Sequence, residues 1–274
     1  MPLPTLFVNL CVLASLWVGA NTPLPAQEAE LRAQIKAAEE AGRQDLRLAQ
    51  SLAQLAGLCQ DNGRSSEAEA LYLRVIPLAE QQLGRDHPAV ARTLSDLAEV
   101  YYQRGEWGRA LTLENRALFI RRRALPPNHP DIARSLQNLG EIHRIMGEWS
   151  TAEWLYLRAI DIVEKYTVPD PTLLQVILGN LGTLSAGQRK YDRAESYYRR
   201  ALALVGQAED PQSIGQATLL ANLAQLRATV KKYSQANQLW QRALETARSA
   251  QHPDTAFISG LLSSYEETRR KRKP

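Results

Sequence analysis

The chain has 274 residues, 45% hydrophobic and 23% charged, with a formal net charge of +4. Arg269, Arg270, Lys271, Arg272 and Lys273 place five positive charges at the extreme C-terminus, leaving the remainder near −1. The basicity therefore reads as a tail and not as a nucleic-acid-reading face. Cys11 and Cys59 are the two cysteines, and with Cys11 in an apolar leader no internal disulfide is expected.

In chain order, the first feature is LFVNLCVLASLWVGA, Leu6 to Ala20, followed by the polar NTPLPAQ. The run suits a signal-peptide core with Val18-Gly19-Ala20 as a small-residue cleavage site, although no Lys or Arg precedes it. It is shorter than the ~20 residues that span a bilayer. Residues 1–20 are thus expected to be an export signal or N-terminal anchor, giving a periplasmic or extracellular protein; a membrane-anchored or cytoplasmic location is the alternative.

From Gln27 the sequence repeats. Aligned at 42 residues, SLAQLAGL (Ser51), TLSDLAEV (Thr93), SLQNLGEI (Ser135), ILGNLGTL (Ile177) and LLANLAQL (Leu219) share one register. Apolar residues at i, i+3 and i+7, as in Leu94, Leu97 and Tyr101, make the stripe of an amphipathic helix. Breakers follow at Asn62-Gly63, Arg104-Gly105, Met146-Gly147, Gln188-Arg189 and Lys231-Lys232. A second helix then carries small residues at Ala68, Ala110, Ala152, Ala194 and Ala236, and again seven residues on at Val75, Ala117, Ala159, Ala201 and Ala243. Two small positions on one face let neighbouring helices approach closely. Leu71, Leu113, Leu155, Tyr197 and Leu239 are expected to fill the rest of the contact.

Linkers open on His-Pro at His87, His129 and His252. Proline suits the first helical position, where its missing N–H is no loss, and Asp131 and Asp254 favour the positive end of the helix dipole. His-Pro-Asp is also the signature of J-domain co-chaperones, but its recurrence at repeat linkers makes helix initiation the better account. The histidines lie in separate units with no metal-ligand spacing. No phosphate loop or nucleophile triad stands out, so neither enzyme activity, cofactor, metal nor small-molecule substrate is expected.

This pattern resembles the tetratricopeptide repeat family, in particular the 42-residue kinesin-light-chain type and its bacterial relatives, from about Gln27 to Arg270. No heptad coiled coil accompanies it. The resemblance implies an all-α, right-handed solenoid of antiparallel helix pairs that binds another protein or peptide in a concave groove. The expected divisions are a half-repeat helix at 27–44, repeats at 45–86, 87–128, 129–170, 171–210 and 211–251, a capping helix at 252–270 and a basic tail at 271–274.

In that family first helices line the groove. Asn138, Asn180 and Asn222 recur in one column, with Gln54 and Asp96 above them, and an amide pairs with a partner's backbone without reading its sequence. The same face should carry Arg92, Glu99, Tyr102, Arg134, Glu141 and Arg144, the arginines suited to a carboxylate. The leading expectation is a peptide-binding scaffold or adaptor. A self-associating envelope component is the alternative, and a peptide-responsive regulator a third. The tail leaves room for weak contact with a membrane or polyanion.

Overall fold

The computed structural model describes residues 24–168, 170–205, 214–250 and 254–272. The Leu6–Ala20 run, His252-Pro253 and the tail residues Lys273 and Pro274 lie outside them. Every regular element among the described residues is a helix. The chain divides at Tyr166/Thr167 into two compact units.

The first unit holds α1 (Leu24–Glu40), α2 (Leu46–Asp61), α3 (Ser65–Leu83), α4 (Pro88–Gln103), α5 (Trp107–Ala124), α6 (Pro130–Ile145) and α7 (Trp149–Lys165). The second holds α8 (Pro171–Gly187), α9 (Tyr191–Ala203), α10 (Ile214–Thr229), α11 (Tyr233–Ser249) and α12 (Thr255–Arg272). Helices pair as α2/α3, α4/α5, α6/α7, α8/α9 and α10/α11, with α1 packed on α2 and α12 on α11. Within each unit the pairs stack as in a solenoid, the all-α class that the repeat implies.

The column of alanines explains the close pairing: Ala68, Ala110, Ala152, Ala194 and Ala236 are all fully buried, as are Ala117, Ala159, Ala201 and Ala243. The first-helix stripe Leu94, Leu97 and Tyr101 is buried against them. The large filler follows expectation at Leu71 and Leu155, both buried, and departs from it at the other three positions. Leu113, Tyr197 and Leu239 are only partly buried, and the deepest bulk stands one position later, at Tyr72, Tyr156, Tyr198 and Trp240. Helical rotation of 100° per residue carries that column squarely onto the first helix. Glycine on that helix makes room: a Cβ at Gly140 would lie 2.7 Å from Cε1 of Tyr156, and one at Gly182 would meet Tyr198 closer still.

The linkers show what starts and stops each helix. Pro88 and Pro130 occupy first-turn positions, and the histidine before each is itself the cap, His87 Nδ1 accepting from Ala89 N at 3.1 Å and His129 Nδ1 from Asp131 N at 3.2 Å. In α12 the aspartate takes that role, Asp254 accepting from Ala256 N and Phe257 N. Capping of this kind satisfies first-turn donors that have no partner within the helix. Between paired helices the chain turns through a left-handed residue: Gly63, Gly105 and Gly147 have φ of +73°, +75° and +82°.

Candidate peptide-binding face

On α4 and α6 the expected residues fall into three environments. Arg92 and Arg134 are exposed, as is Gln54 on α2. Asp96, Glu99, Tyr102, Asn138 and Arg144 are half-buried, and Glu141 is buried. Arg134 Nε stands 4.0 Å from Asp131.

Glu141 is the best-supplied carboxylate. It accepts from Tyr102 Oη at 2.9 Å, from Tyr156 Oη at 2.8 Å, and from both Nε and Nη2 of Arg144 at 3.0 and 2.5 Å. Glu99 occupies the same column one repeat earlier, and its position differs in one respect that matters. The tyrosine that would donate to it is Glu114. Glu99 accepts from the Gln103 amide at 3.1 Å and has no ion pair among the described residues. Burial therefore pushes its pKa up to about 7, the neighbouring charges of Glu141, Glu114 and Asp96 adding to the effect against the Gln103 hydrogen bond. Burial likewise lifts Asp96 to about 6, despite the opposing fields of Arg92 and Arg121.

Glu114 and Arg121 were not among the residues singled out from the sequence. Both are buried, and they form an ion pair at 3.3 Å. Ser95 Oγ donates to Glu114 at 3.1 Å, Arg121 donates to Ser95 at 2.9 Å and to Ser135, and Asn138 Nδ2 donates to the far oxygen of Glu114 at 3.3 Å. Burial raises the Glu114 pKa and lowers that of Arg121, each opposed by the other's charge. The signal was present: in the 42-residue alignment a glutamate stands in a column of Tyr72, Tyr156, Tyr198 and Trp240.

Two members of the amide column depart from the expected open row. Asn180 is 2% exposed and Asn222 fully buried, and neither lacks a partner within the fold. The reason lies in their helices. α8 is buried continuously from Ile177 to Ala186 and α10 from Ala217 to Ala224, so no solvated side remains for a groove amide there. Asn138 keeps partial exposure, with its amide directed to Glu114.

A family model for the tetratricopeptide repeat matches residues 47–123 and 173–249. No curated protein sequence matches the chain. Among solved structures, BtubC (BKLC) from P. vanneervenii is 23% identical with a TM-score of 0.69, covering 85% of this chain and 95% of its own. A putative kinesin light chain from Podosopora anserina with nearly identical TPR-like repeats is 19% identical, TM-score 0.57, over 74% of this chain and 97% of its own. The apo quorum sensor NprR from B. thuringiensis is 14% identical, TM-score 0.71, over 92% of this chain and 68% of its own. These likenesses share the fold. Repeats of this kind are interaction scaffolds, and with the model matching more than half of its length the chain belongs to the tetratricopeptide repeat family.

Proposed function

We propose that the first unit binds a peptide segment of another protein along the face of α4 and α6, and that Asp96, Glu99, Tyr102, Asn138, Glu141 and Arg144 receive it, with Arg92, Arg134 and Gln54 at its margins. The observation that carries this reading is the pair Asp96 and Glu99. Both are half-buried carboxylates without an ion pair among the described residues, Glu99 holding the neutral Gln103 amide, and a carboxylate drawn from water without a cation beside it is costly. A segment presenting N–H donors or a Lys or Arg side chain offsets that cost on binding. Glu141, already holding four donated hydrogen bonds, serves as the fixed wall beside them.

Peptide display against the purified chain, followed by calorimetric titration of the selected sequence, tests the reading. The expected ligand carries Lys or Arg, and Asp96→Asn with Glu99→Gln weakens it at least tenfold, a loss of about 1.4 kcal/mol. Selected peptides that bind the double variant as well as the wild type put the site elsewhere. Light scattering that finds oligomers of the purified chain alone, with no peptide selected, favours self-assembly instead.

A further inference from the structure

In the second unit the turn between paired helices breaks the pattern of the first. Where Gly63, Gly105 and Gly147 turn the chain, Arg189 and Lys231 stand at φ +60° and +61°. The same hydrogen bonds close these turns, Lys190 N to Ser185 O at 2.9 Å and Lys232 N to Arg227 O at 2.8 Å. A side chain in the left-handed region is disfavoured against glycine. Two successive turns thus hold a cation where the backbone prefers none, and each is followed by a lysine and a tyrosine, Lys190-Tyr191 and Lys232-Tyr233.

The two turns are neighbours. Arg189, Lys190, Tyr191, Asp192 and Arg193 line a shallow depression of about 380 Å³ together with Val230 from the next turn. Three cations face one carboxylate there, beside one aromatic and one apolar wall. The C-terminal helix ends at the same edge. α12 runs back along α11, its Tyr265 Oη accepting from Gln241 at 3.1 Å. From that contact Tyr233 and Arg272 each lie about 10–12 Å along their helices in the same direction. Arg269 and Arg270 are exposed on this stretch, Arg269 over the Tyr265 ring at 5.6 Å. Exposed Glu266 and Glu267 share this end of α12, and Lys271 donates to Glu267 at 2.7 Å, so Arg269 and Arg270 are the cations α12 adds to those of the two turns.

We infer that this edge of the second unit, from the Arg189 turn through the Lys231 turn to the end of α12, is a docking surface for an acidic polypeptide segment, separate from the α4/α6 face. Arg189, Lys231 and Lys232 are exposed and have no carboxylate partner among the described residues. Guanidinium groups match carboxylates in a planar fork. The depression takes one carboxylate with its aliphatic stem against Tyr191 and Val230, a discrete fit that a planar lipid surface would leave unfilled.

The test uses fluorescein-labelled decaglutamate as probe and the full chain. Anisotropy should report binding at 50 mM NaCl that weakens at least fivefold at 200 mM. Arg189→Gly with Lys231→Gly restores the glycine turn of the first unit, so it should hold or raise the Tm while weakening the probe about fivefold. Asp96→Asn with Glu99→Gln should leave this binding unchanged, which separates it from the α4/α6 site. Failure of decaglutamate to bind, binding insensitive to the glycine pair, or a Tm lowered by that pair each overturns the proposal. So does retention on phosphatidylcholine vesicles containing 30% phosphatidylglycerol in place of peptide binding, which would make the edge a membrane contact.

Discussion

Glu114 and Arg121 meet at 3.3 Å inside the first unit, with side chains 1% and 6% exposed. Seven residues apart on α5, they occupy columns that elsewhere hold Tyr72 with Ala79 and Tyr156 with Val163, all four buried. Desolvation of two charges nearly cancels their attraction, whereas one charge left alone is expensive.

Arg121→Ala should accordingly lower stability by about 3–5 kcal/mol, because Glu114 remains buried without its cation. The joint change Glu114→Tyr with Arg121→Ala, which copies the Tyr72 and Ala79 arrangement, should be near neutral. Urea unfolding of the two variants checks this; equal losses would mean that the pair contributes through packing alone.

Acid should stabilise the chain over a defined window. The folded-state pKa values of Glu99, about 7, and Asp96, about 6, lie above the ordinary carboxylate range. Their contribution is fully present below about pH 4 and is lost as pH rises through 6 to 7. Between pH 8 and pH 5 stability should therefore rise by roughly 1–3 kcal/mol, and Glu99→Gln should remove most of that rise. The trend reverses below about pH 4, since hydrogen bonds from Arg64 and Arg32 hold Glu28 down at about 2 and its ion pairs are lost as it protonates. Thermal melts across pH 3 to 8 read both limbs.

Gly140→Ala should destabilise by about 1–3 kcal/mol, since its Cβ would meet the Tyr156 ring and overpacking in a filled core costs that much. Gly260→Ala on α12 meets nothing within 4 Å and should gain up to about 1 kcal/mol from helix propensity. Melting curves of opposite sign are expected from the same substitution.

Asn222→Ala should lower stability by about 1–2 kcal/mol, because its amide is fully buried and the partner group would be left unsatisfied. Gln54→Ala on the exposed face of α2 should change it by less than about 0.5 kcal/mol. Thermal melts of both variants check this; an Asn222→Ala chain as stable as the wild type would mean that the buried amide adds nothing net to the fold.

The contrast between those two positions shows where the sequence was legible. A period of 42 residues, with alanine pairs and leucine stripes, fixes which faces pack, and the helices follow it. The amide column looked uniform because Gln54, Asp96, Asn138, Asn180 and Asn222 share one register. Exposure at that register depends on residues the column does not contain. Around Asn222 every neighbour from Ala217 to Ala224 is buried, while Gln54 faces solvent. The acidic neighbourhood of Glu99 was hidden for a related reason. It arises from a tyrosine replaced by Glu114 on another helix, fifteen residues further along the chain.

The bonds from α5 to α6 also bear on how such a chain can be lengthened or shortened in evolution. Arg121 donates to Ser135 and Glu114 accepts from Asn138, so the pair α4/α5 is addressed to its successor. Excising a 42-residue unit from 88 to 129 would keep the register and every alanine contact, yet present Ser135 and Asn138 to Tyr72 and Ala79. Shuffling by recombination is thus unequal along this array: a unit with an apolar junction can move freely, and this one travels with its neighbour or loses its partners.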